Sequence, residues 1–119
     1  LSEIRATTIS DETGSGPIAL TKQHAAKAWC YFNTSSSTSI TGSFNVSSLT
    51  DLGTGYTKIT ITNAMASAND FSMQCTSNNF QAHNASIPTA TEFWFYSSNA
   101  TGSASDGTRN YFTLHGDLA

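Results

Sequence analysis

The sequence predicts an all-β single domain, a β-sandwich or jelly-roll-like barrel with an extended N-terminal arm. Three observations carry this. Apolar residues recur at period two in short runs. Turn-forming Gly, Asn, Asp and Ser separate the runs at intervals of about 8 to 15 residues. Eighteen Ser, eighteen Thr and nine Asn supply the polar surface, while charged residues make up only 11% of the 119. Thr is β-branched and suits a pleated surface, whereas Ser and Asn compete for backbone hydrogen bonds and settle in turns.

Residues 2–9 read as a first strand, 11–17 as a turn-rich stretch, and Ile18 with Leu20 as a short second strand. With little apolar surface of its own, this arm (1–23) is expected to pair with a neighbouring subunit or another protein. Ile4 and Ile9 are its expected contact residues. The sandwich is expected over 24–119.

From His24 to Asn33, Ala26, Ala28, Cys30 and Phe32 alternate with Lys27, Trp29, Tyr31 and Asn33. Large residues on both faces imply a strand covered on two sides, by the core and by a partner sheet or subunit; His24 to Lys27 alone also suits a helical turn. Ile40, Gly42, Phe44 and Val46 continue at period two. Ser47 to Asp51 ends this run, Gly53-Thr54-Gly55 is a turn, and Tyr56 to Thr62 follows with Ile59 and Ile61 inward, completing a hairpin.

Phe71, Met73 and Cys75 form one face of the next strand; Asn78-Asn79 breaks it, and 80–83 reads as a shorter one. In 92–97, Phe93 and Phe95 oppose Trp94 and Tyr96, again a strand enclosed on both sides. A Gly- and Ser-rich loop, 99–108, leads to a last strand, 109–115. Seven to nine strands are expected.

Five scattered basic residues and a net charge of −3 leave no patch able to neutralise a run of phosphates, so direct nucleic-acid binding is not expected. No apolar run approaches the length of a membrane span, and no membrane partner is expected. Cys30 and Cys75 sit in alternating patterns beside large apolar residues and read as buried free thiols rather than a bridge.

Catalytic constellations are not evident. His24, His83 and His115 lack the short spacings of local metal motifs, and no metal or other cofactor is expected. The acidic residues lie mostly in turn sequences, Asp51 and Asp106 near Gly. No glycine-flanked nucleophile elbow or phosphate-binding glycine loop is present. Four N-x-S/T sequons, at Asn33, Asn45, Asn84 and Asn99, compare with about three expected by chance in so Ser- and Thr-rich a chain. The chain reads as a non-enzyme. Trp29, Tyr31, Trp94 and Tyr96 most resemble a contact surface, for a subunit first and a carbohydrate second.

Ala26-Lys27-Ala28-Trp29-Cys30-Tyr31-Phe32-Asn33, then Ser43 to Thr57 and Asn63-Ala64-Met65, resemble a KAW-x-x-FN … SFNVSS-[IL]-TD-x-GTG pattern of phage and prophage proteins of tail-fibre-like or virion structural type. Ser2-Glu3-Ile4-Arg5 and Gly116-Asp117-Leu118-Ala119 look like the start and ending of such proteins. The match spans about residues 2 to 65, and Cys30 departs from the aliphatic residue of the pattern.

The resemblance implies a structural component of a tailed-bacteriophage virion, made in the bacterial host cytoplasm, without fixing its place on the particle; the expectation built on it is a protein displayed on the virion exterior as a homotrimer. Its expected partners are its own copies, the major capsid protein or tail proteins. The absence of a shaft repeat favours a capsid decoration (cement) role. The alternative is a tail-fibre or tail-tip module recognising host surface glycan, in which Trp94, Tyr96 and the 99–108 loop would contact the host.

Overall fold

The computed structural model describes residues 25–85 and 88–119. The arm strands expected at 2–9 and 18–20, with Ile4 and Ile9, and the candidate histidine His24 lie outside the described residues. Within them the chain forms eight strands: β1 (Ala26–Asn33), β2 (Ser39–Phe44), β3 (Val46–Gly53), β4 (Tyr56–Ile61), β5 (Phe71–Ser77), β6 (Gln81–Asn84), β7 (Glu92–Ser98) and β8 (Asn110–Gly116). They make two four-stranded sheets, ordered β2-β1-β8-β5 and β3-β4-β7-β6, and every pair is antiparallel. The architecture is a β-sandwich.

The core lies between the central strand pairs. Period two turns Ala28, Cys30 and Phe32 of β1 and Phe112 and Leu114 of β8 inward from one sheet, and Ile59, Ile61, Phe93 and Phe95 of β4 and β7 inward from the other. Phe32 meets Phe95 edge to face at 5.0 Å, and Phe71 meets Phe93 likewise at 5.1 Å. Each fully buried Phe contributes about 1.5–3 kcal/mol by leaving water, so these rings are the main glue between the sheets. Met65, on the segment leading from β4 to β5, is also buried in this core.

One expectation needs correction. The apolar run through Ile40, Gly42, Phe44 and Val46 is not one continuous period-two strand. It is cut at Asn45, whose φ of 55° lies in the left-handed region that Asn tolerates better than most residues. Its side-chain amide donates to the Lys27 carbonyl (2.9 Å) and the Asn63 carbonyl (3.2 Å), and its Oδ1 accepts from the Asn63 backbone N–H (2.7 Å). The chain therefore leaves one sheet at Phe44 and enters the other at Val46. Val46 packs on the core, while Ile40 and Phe44 stay exposed.

The hairpin survives as β3–β4, joined through Gly53 and Gly55, both at positive φ. The Asp51 carboxylate accepts the Gly53 N–H (2.8 Å) and sets that turn. β5 and β6 are consecutive yet belong to different sheets, with Phe80 exposed on the link rather than inside the strand expected at 80–83.

Candidate functional site

The outer face of the β2-β1-β8-β5 sheet is aromatic. Trp29 stands opposite Phe44 on β2, and Tyr31 opposite Tyr111 on β8. Directly opposed residues of an antiparallel pair share a face, so the four side chains form one patch. Tyr31 and Tyr111 stack with centroids 4.9 Å apart and planes 10° from parallel. Gly42 makes room for the indole: a Cβ there would touch the Trp29 ring at 3.5 Å. Trp29, Tyr111 and Phe44 retain 43%, 44% and 54% exposure, so no second layer within the described residues covers them. Thr113, Gln74 and Thr76 continue the same face with uncharged polar groups.

The outer face of the other sheet is more polar. Tyr96 packs against Tyr56 (4.8 Å between centroids) and His83 (4.7 Å). Lys58, opposite Trp94 in register, pairs with Glu92 at 2.9 Å, which cancels two charges on this face. The Tyr96 hydroxyl donates to the Gly102 carbonyl (3.2 Å) and so touches the loop after β7. In that loop the Asn99 side-chain oxygen accepts from the Thr101 N–H and hydroxyl and from the Ser103 N–H, giving it a defined shape.

A polar network closes the adjoining end of the sandwich. The Ser97 hydroxyl and the Asn79 amide both donate to the Ser105 carbonyl, at 2.6 and 2.7 Å. Ser77 donates to buried Asn110 Oδ1 (2.7 Å), whose amide donates in turn to the Gly107 carbonyl (3.0 Å). Asp106, expected to close its own turn, instead accepts the Gly55 N–H at 2.7 Å and ties the loop to the β3–β4 turn. Such buried polar groups are stable only because each has partners.

Trp29 and Tyr31 thus lie on one outer face and Trp94 and Tyr96 on the opposite one, so the four sequence candidates form two surfaces rather than one site. Phe44 and His83 also belong to these surfaces, though neither is among the contact residues expected from sequence. The period-two run groups Phe44 with Val46, and the break at Asn45 that puts them in different sheets is invisible to such a count.

A shallow depression of about 360 Å³ lies beside the start of β5, lined by Asn69, Asp70, Phe71, Ser72, His115 and Gly116. Among the described residues, no three His, Cys, Asp or Glu side chains come together so as to hold a metal ion. Cys30 and Cys75 are free thiols, and both stand opposite Phe112, one strand to either side. Compared with models of known protein families, with curated proteins and with solved structures, the chain finds no match.

Proposed function

We propose that this chain is a non-enzymatic structural protein of a tailed bacteriophage, displayed on the virion exterior and assembled as a homotrimer, with capsid decoration as its role. The observation that supports this most is the exposed patch of Trp29, Phe44 and Tyr111 on one sheet face. Clustered exposed aromatics mark interaction surfaces, and aromatics are enriched where protein interfaces are fully buried. Seating this face on a virion protein such as the major capsid protein would bury it.

A second reading, a tail-tip module for host glycan, draws on the opposite face. There Tyr56, Tyr96 and His83 cluster beside the shaped loop of Asn99 to Ser103. Aromatic rings beside amide and hydroxyl groups suit a sugar, which offers both an apolar face and hydroxyls.

Antibody labelling of purified particles under the electron microscope tests the two together. Label over the head supports decoration, label confined to the tail supports the glycan module, and unlabelled particles overturn both. For decoration, Trp29→Ser combined with Tyr111→Ser is expected to strip the protein from heads while leaving its circular dichroism unchanged.

A further inference from the structure

The four edges of the sandwich are not alike. β2 carries an extra residue at Thr41, because Tyr31 pairs with Gly42 while Phe32 pairs with Ile40. β3 carries two, Ser47 and Leu52, and adds the charge of Asp51. β6 is only four residues long. Bulges, charges and shortness are the devices that keep an edge strand from pairing with another chain.

β5 has none of them. Its register with β8 runs from Phe71–Gly116 to Ser77–Asn110 without a shift. Its seven residues, FSMQCTS, include no proline and no charge.

We propose that β5 is a homotypic docking edge through which two copies of the chain pair antiparallel about a two-fold axis, joining two four-stranded sheets into one of eight. A two-fold contact needs a self-complementary strand. Gln74 is the middle residue of β5, and all seven positions find partners only when the axis passes through it. Ser72 then faces the partner's Thr76, Met73 faces the partner's Cys75, and Phe71 faces the partner's Ser77. With no charged residue in the strand, no like charges oppose one another across the axis. Met73 and Cys75, half-buried on the inner side, would extend the core across the junction.

Two short strands bury less than a standard interface, so the pair is weak in dilute solution and strengthens where copies are held close together. Display on a particle surface supplies that closeness, and only this biological use rests on the function proposed above. The pair is a different association from the trimer, and mass separates the two.

The test uses the full-length protein, with sedimentation over a range of concentrations and hydrogen exchange of residues 71–77. A species of doubled mass, two single chains or two trimers, is expected to grow with concentration, to protect the amides that β5 does not give to β8 as it forms, and to persist under reductant, because Cys75 faces Met73 rather than its own counterpart. Ser72, Gln74 and Thr76 are exposed, so replacing all three by Lys sets like charges across the axis without disturbing the core. That variant is expected to raise the dissociation constant about tenfold or more, with unchanged circular dichroism; Gln74→Lys alone serves if the triple variant fails to fold.

The proposal is overturned if the wild-type protein shows no doubling of mass, of the single chain or of the trimer, up to millimolar concentration, or if the lysine variant pairs as well as wild type. It is equally overturned if protection of the amides that β5 does not give to β8 is already present in the dilute protein and independent of concentration. Particles labelled normally by a chain that does not pair would sink this inference alone. Unlabelled particles with pairing intact would sink only the virion assignment.

Discussion

Tyr31 and Tyr111 stack across the β1–β8 pair with their rings 10° from parallel, yet Tyr111 keeps 44% of its surface in water. The pair is therefore both a structural contact and part of an exposed surface. Aromatic pairs contribute about 0.5–1.5 kcal/mol beyond area burial. A double-mutant cycle with Tyr31→Ala and Tyr111→Ala, read by urea unfolding, is expected to give a coupling energy in that range. Additive losses would mean the rings do not hold each other in solution.

Asn45 carries the switch between sheets. Asn45→Gly keeps the left-handed conformation but removes three hydrogen bonds, each worth about 0.5–1.5 kcal/mol net. Asn45→Ala loses the same bonds and adds about 1–2 kcal/mol of left-handed strain. Chemical denaturation should rank wild type above Asn45→Gly and Asn45→Ala lowest. Equal stability of the two variants would show that the backbone relaxes out of the left-handed region.

Gly107 is required by space rather than by φ. A Cβ at this position would run into Asn110 Oδ1 and approach Ser77 Oγ to 2.7 Å, breaking the seal at that end of the sandwich. Gly107→Ala is expected to cost about 1–3 kcal/mol, the usual range for overpacking. Gly102→Ala, which meets open space at φ 83°, should cost only the conformational penalty of about 1–2 kcal/mol. Thermal unfolding of both variants measures the two losses.

Burial pushes the Cys30 thiol up to about 11 and the Cys75 thiol up to about 12, from an ordinary 9.0. Both groups are neutral in the folded and unfolded chain below about pH 8, where they add no pH dependence. Above pH 9.0 the unfolded chain loses these protons while the folded one keeps them, so stability falls as pH rises towards 11 and 12. Cys75→Ala should flatten that alkaline decline in urea titrations. Slow alkylation of both thiols at pH 8, accelerated by urea, checks the same burial. No bridge within the chain is expected to form under oxidants, because two strand spacings, about 9.6 Å, exceed the roughly 7 Å reach of a disulfide.

Much of the fold is readable from alternation. Cys30 and Phe32, Phe93 and Phe95, and Phe112 and Leu114 all point inward as their period-two patterns require. The outward direction of Trp29, Tyr31, Trp94 and Tyr96 follows from the same count. That count is local, so it fails where the determining partner is distant. Glu92 pairs with Lys58 across two strands, and Asp106 binds Gly55 rather than its own turn. No short-range pattern contains either fact.

That the chain builds short strands, which side of most of them is apolar, and where most of its turns fall are all legible in the order of its residues. These follow from φ/ψ preference and side-chain parity within a few residues. The change of sheet at Asn45, the meeting of Tyr111 with Tyr31 and of Tyr96 with Tyr56 and His83, and the place of β5 at a regular, uncharged edge emerge only on folding. Sheet membership and register arise from contacts between residues far apart in sequence, and alternation that repeats every two residues is equally compatible with many such pairings.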